Sequence, residues 1–208
     1  MDQDRDSIEL VTETTALLWR LDLMGVEVDG RWPLLADHWD TLAPLGGHAT
    51  NAWLAMMAYV GARREPSQRS TLIMLKVVSL GWGEEAFFAK ECSMAAAQAI
   101  LAFGAGRYEE TLDLLLPLRH CEHHFGEQCG HGSRRDLIEH TLIEAAIRSG
   151  HDDMAAELVA ERAARVIRAA APSARSAAGA PHRPDGPPTA PEPCPHPRSG
   201  PGTDRCAS

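Results

Sequence analysis

Six side chains able to ligate a borderline metal fall in one short stretch: His120, Cys121, His123, His124, Cys129 and His131. Thiolate and imidazole suit zinc, and Cys121-x-x-His124 with Cys129-x-His131 would supply the four ligands of a tetrahedral site. The spacing matches no common zinc module, in which ligands arrive as two separated pairs on defined elements. We therefore read 120–133 as a polar, His-rich surface loop and expect no metal and no other cofactor. The alternative is a zinc-binding protein, or a fragment of a metal-dependent enzyme, using Cys121, His124, Cys129 and His131.

Other reactive residue types have simpler explanations. Cys92 falls mid-helix with no histidine at helical spacing to activate it, so it reads as a small core residue. Glu84-Glu85, Glu109-Glu110 and Asp152-Asp153 all open helices, where carboxylates stabilise the helix dipole. The Gly-x-Gly patterns at 81–83 and 104–106 follow no strand, so they are not nucleotide loops. Trp19, Trp32, Trp39, Trp53 and Trp82 read as core and inter-hairpin packing, though an exposed pair would make a peptide-binding anchor. No catalytic constellation emerges, and we expect no enzyme.

Composition narrows the class. The net charge of −9 lies in the body, because the segment after Ala170 carries a slight positive excess. An acidic body without a basic stripe argues against nucleic acid or an anionic membrane as partner. No unbroken apolar run of about 18 residues is present, and the acidic N-terminus lacks the order of a signal peptide, so the expected location is the cytoplasm. Five cysteines are too few and too scattered for a disulfide scaffold. Ten of the 14 prolines follow Ala171. With so little to bury there, 171–208 is expected to be a disordered Pro/Ala/Arg-rich tail behind a helical domain over 1–170.

Apolar residues in that domain recur with helical period and never with the alternation of a strand. The pattern predicts helices over about 7–25, 32–43, 48–62, 72–80, 84–103, 109–119, 134–148 and 152–169. Ser7 reads as a cap for the first, Arg63 to Ser67 as a connector, and Pro117 as weakening the end of the sixth. The best-marked elbow is Ala102-Phe103-Gly104-Ala105-Gly106-Arg107-Tyr108. It aligns with Ala58–Arg63 and Ala146–His151 at a spacing of 44 residues each way. A fixed period joining helical pairs is the mark of an α-solenoid, whose hairpins bury their faces against neighbours.

Within the unit, Gly106, Tyr108, Thr111 and Leu115 sit where a tetratricopeptide repeat has its turn glycine, aromatic, small residue and large apolar residue. Ala95, Ala99 and Ala102 take the close-packing positions of its first helix. Ala146, Gly150, Asp152, Ala155 and Val159 form a weaker second copy. The fold class expected is all-α, a tetratricopeptide-like helical-hairpin solenoid, with a HEAT-like array, whose natural period is about 44 residues, as the alternative that the Gly-x-Tyr-Glu-Glu elbow disfavours.

Several blocks occur in one order: Thr15–Val26, Ala55-Met56-Met57-Ala58, Gly104–Tyr108, and Arg135-Asp136 leading to Thr141–Ala146. Through these the chain resembles the C-terminal half of the tetratricopeptide repeat protein 38 family over about 7–168. The family's N-terminal half, with a His-Asn-x-x-His-rich helix, has no counterpart here. Where relatives tend to show Gly-Gly-Ser-His before the Arg-Asp pair, this chain has Cys129-Gly130-His131-Gly132-Ser133. The resemblance implies a helical-repeat scaffold without an established activity. From it we expect a non-enzymatic interaction scaffold whose concave groove, lined by the first helices of the hairpins, holds a protein or peptide partner. Internal repeats lack polar caps, so an exposed apolar face and self-association are expected at the N-terminal hairpin.

Overall fold

The computed structural model describes residues 2–42, 51–120 and 133–170. Among these the chain is all-helical, with no strand. The eight helices are α1 (Asp2–Leu23), α2 (Trp32–Leu42), α3 (Ala52–Gly61), α4 (Glu65–Ser79), α5 (Glu84–Gly104), α6 (Tyr108–Leu115), α7 (Ser133–Arg148) and α8 (Asp152–Ala170). The segment 171–208, expected to be disordered, and the turn at Pro44–Gly47 lie outside the described residues.

Three boundaries differ from expectation for local reasons. Ser7 lies inside α1, not at its cap. α4 starts at Glu65 and takes in most of the expected connector, because Pro66 occupies the first turn, where a missing N–H leaves no bond unmade. α6 ends at Leu115, and Pro117 begins a 3-10 turn to His120, since proline cannot donate to the preceding turn.

The elbows share one closure. A residue with left-handed backbone is followed by an amide that reaches back five residues: Val26 to the Leu21 carbonyl (2.9 Å), Arg64 to Tyr59 (2.8 Å), Arg107 to Ala102 (2.9 Å) and His151 to Ala146 (2.8 Å). These are Schellman closures, and Gly106 and Gly150 supply the positive φ at no steric cost. At the α3–α4 elbow the position falls on Arg63, φ 55°, one residue later than the 44-residue register places it. Its neighbour Arg64 holds the turn against α2, donating to Asp40 (2.6 Å), to Asp37 and to the Pro33 carbonyl (3.3 Å).

Each hairpin packs on the next: α1 on α3, α3 on α5, α5 on α7, with α2, α4 and α6 filling the outer seams and α8 lying on α7. The order then closes, because α7 packs back on α1. Trp19 sits at this closure. Its ring meets Trp32 (6.3 Å, 69°) and Phe103 (5.7 Å, 58°), and its indole N–H donates to Thr141 Oγ1 at 2.9 Å. Trp53, Met56, Met57, Ile100 and Leu142 are buried with it. The inward faces of the first helices are therefore core among the described residues.

Small residues make the closest approaches. Ala96, Ala97, Ala99 and Ala102 of α5 are fully buried. A Cβ on Gly104 would collide with the Val60 side chain, and one on Gly61 with the Trp32 ring. The segment Glu84–Gly104 has the length and mean hydropathy (1.2) of a membrane-crossing helix. Just over half of it (56 %) is buried by the neighbouring helices, while Phe87 stays exposed.

Candidate binding groove

A groove opens between α4 and α5. α4 contributes Leu72, Ile73, Lys76 and Ser79, and α5 contributes Lys90, Met94 and Gln98, enclosing about 470 Å³ of open space. Lys90, Met94 and Gln98 follow one another at four-residue steps, so one stripe of α5 forms that wall. This wall begins in a π turn, Ala89–Ser93, whose inward side buries Ala89, Cys92 and Ser93. A π turn inserts a residue into the helical phase and recurs at functional places in helices. The Ser93 hydroxyl is buried there with no hydrogen-bond partner.

The groove is apolar along its floor and cationic at its edges. Its two lysines are the only lysines of the chain, set in an acidic body. Lys90 has Glu91 as a distant neighbour at 3.8 Å. Beyond Ile73, Val77 of the same helix and Leu80 just past its end are exposed at helical spacing, and Trp82 in the α4–α5 connector is 99 % exposed. Contiguous exposed apolar patches, rather than single exposed side chains, mark surfaces that another chain covers. Four of the five tryptophans are buried as expected, and Trp82 is the one that is not.

The residues singled out from the repeat pattern lie elsewhere, in elbows and helix contacts. Ala102, Ala146 and Ala155 are buried between helices, and Gly104 admits Val60. Gly106 and Gly150 make the left-handed turns. Tyr108 packs its ring edge-on against Phe103 at 5.4 Å, and the Arg148 guanidinium lies over both rings (5.7 and 4.9 Å). Thr111 Oγ1 donates to the Ala99 carbonyl (3.3 Å) or the Arg107 carbonyl (3.1 Å), tying α6 to α5. None of the eight lines the groove. Glu84-Glu85, Glu109-Glu110 and Asp152-Asp153 occupy first helical turns. Cys121, His124, Cys129 and His131 lie outside the described residues. Among the described residues no three His, Cys, Asp or Glu side chains converge as metal ligands do.

A polar node that the sequence did not disclose fixes the closure of the helices. Asp136 of α7 accepts from Arg162 Nε of α8 (2.9 Å) and from Arg20 Nε of α1 (3.4 Å), with His140 Nε2 at 3.9 Å. Burial alone would raise the Asp136 carboxyl; the Arg162 hydrogen bond and the charges of His140, Arg162 and Arg20 outweigh it and hold it below the usual carboxylate range. Burial lowers His140, Asp136 opposes the change, and Arg162 and Arg20 add to it. One turn away Glu139 joins Arg135 (3.0 Å) and Arg165. The Arg135-Asp136 pair, noticed for its place in a sequence block, thus stands where three helices meet.

The class defined by fold and site is an all-α protein, eight helices among the described residues, with an amphipathic, lysine-edged groove. No protein-family model matches the chain, and no solved structure matches it.

Proposed function

We propose that this chain is a non-enzymatic, tetratricopeptide-like scaffold that binds a segment of another protein, and that the segment lies along α4 and α5, not within the ring of first helices. The observation that carries the reading is the coincidence of the apolar crest, Ile73, Val77, Leu80 and Trp82, with the only two lysines of an acidic chain. Affinity would come from burying the crest, with Trp82 the anchor, since interface energy concentrates in a few large side chains. Selectivity would come from Lys76 and Lys90, which favour carboxylates and leave the rest of the acidic surface to repel the same partner. An acidic segment with one apolar face satisfies both demands. The kinship to the C-terminal half of the tetratricopeptide repeat protein 38 family belongs to this proposal and fits a scaffold role.

The test is selection of displayed random peptides on the purified full chain, followed by titration of the enriched sequences. Acidic, apolar-faced sequences are expected. Trp82→Ala is expected to weaken them by about 1–3 kcal/mol, and Lys76→Glu with Lys90→Glu to weaken them further, most at low salt. Enriched peptides indifferent to all three substitutions would refute the groove as the binding surface.

A further inference from the structure

The outward side of α1 leaves large apolar side chains exposed, although Leu21 on that side also packs in part against the core. Leu10 (69 % exposed), Leu17 (55 %) and Met24 (72 %) recur every seven residues along it, with Thr14 and Leu21, both half-buried, interleaved. The positions 10, 14, 17, 21 and 24 advance by alternating steps of four and three, the a/d register in which two helices pack knobs into holes. A helix needed only for its own core would show one apolar stripe, and α1 already has one in Leu18, Trp19 and Leu23, which are buried inside. We infer that this second stripe is a seam for a second copy of the same chain, paired antiparallel about Leu17.

The charges bordering the seam select that occupant and that direction. Glu13 and Arg20 flank the stripe on one side, and Arg20 keeps partial exposure while bonded to Asp136 through Nε. In an isologous pair each residue contacts its reciprocal on the other copy. Centring on Leu17 sets Leu10 against the partner's Met24 and Leu17 against the partner's Leu17. It also brings Glu13 beside the partner's Arg20, twice by symmetry. A parallel pair would carry Glu13 and the partner's Arg20 to opposite flanks of the seam and lose this match. The seam is short, so the interface falls at or below the small end of the ~1,200–2,000 Å² range of stable complexes. A dimer that dissociates at micromolar concentration is the consequence.

Sedimentation equilibrium of the full chain from about 1 to 100 µM tests this, the range following from an interface of that size. Reversible dimers are expected, with monomer throughout for Leu17→Glu, and circular dichroism establishing that this exposed substitution leaves the helices intact. Glu13→Gln decides direction: a few-fold weakening supports the antiparallel pair, whereas unchanged or tighter association overturns it. Leu80→Glu, on the exposed crest just past α4, should leave the dimer unchanged. Wild-type monomer at the highest concentration, or a dimer lost with Leu80→Glu and kept with Leu17→Glu, would overturn the assignment.

Discussion

Thr141 decides more than its size suggests. Its hydroxyl donates to the Leu137 carbonyl (2.8 Å) and accepts the indole N–H of Trp19, 122 residues away. Trp39 and Thr15 make the same arrangement between α2 and α1, at 2.9 Å, with Thr15 donating back to Val11 (2.7 Å). Both indoles are buried, so each N–H depends on its threonine. Replacing Thr141 with valine keeps the shape and leaves the Trp19 donor unpaired, which costs about 1–3 kcal/mol. Chemical denaturation should record a lower midpoint with an unchanged slope. An unaltered midpoint would mean that the hydrogen bond adds nothing to the van der Waals fit.

At the level of the helix, elbows and inter-hairpin contacts make opposite demands of small residues. Gly104 has no room for a methyl group because Val60 fills the space, so Gly104→Ala should destabilise by about 1–3 kcal/mol through overpacking of α5 on α3. Arg63 holds a left-handed backbone that costs a side-chain-bearing residue about 1–2 kcal/mol. Arg63→Gly should recover up to about 1 kcal/mol, since greater freedom in the unfolded chain offsets part of the gain. Thermal unfolding of the two variants should therefore move in opposite directions. Elbows of this kind are readable from sequence because they are local. Gly106 and Gly150 announce themselves, and the alanines of α5 follow from their spacing. Arg63 was missed by one residue because an arginine carries no sign of a left-handed turn.

Nothing local announces how the whole molecule closes. Helices were legible from their period, and so was the order of hairpins. The meeting of α1 with α7 rests on Trp19, Thr141, Arg20 and Asp136, four residues far apart in the chain, whose types are ordinary for a helix face. The groove escaped notice for the same reason: Lys76 and Lys90 became neighbours, and Trp82 an exposed side chain, only once α4 and α5 were placed side by side. The seam on α1 is intermediate, since its seven-residue spacing is visible in the sequence while its exposure is not.

The return of α7 to α1 also alters how the molecule comes apart. An open array of hairpins is quasi-one-dimensional: its stability is a sum over neighbouring units, and it can fray from either end. Here the first hairpin is bonded to the last, so neither end can loosen without opening the other. Native-state hydrogen exchange should find the amides of α1 and α7 sharing a single opening free energy with those of α3 and α5. The closure makes the first and last hairpins of the described helices its joint, and takes from them the independence that the units of an open stack ordinarily have.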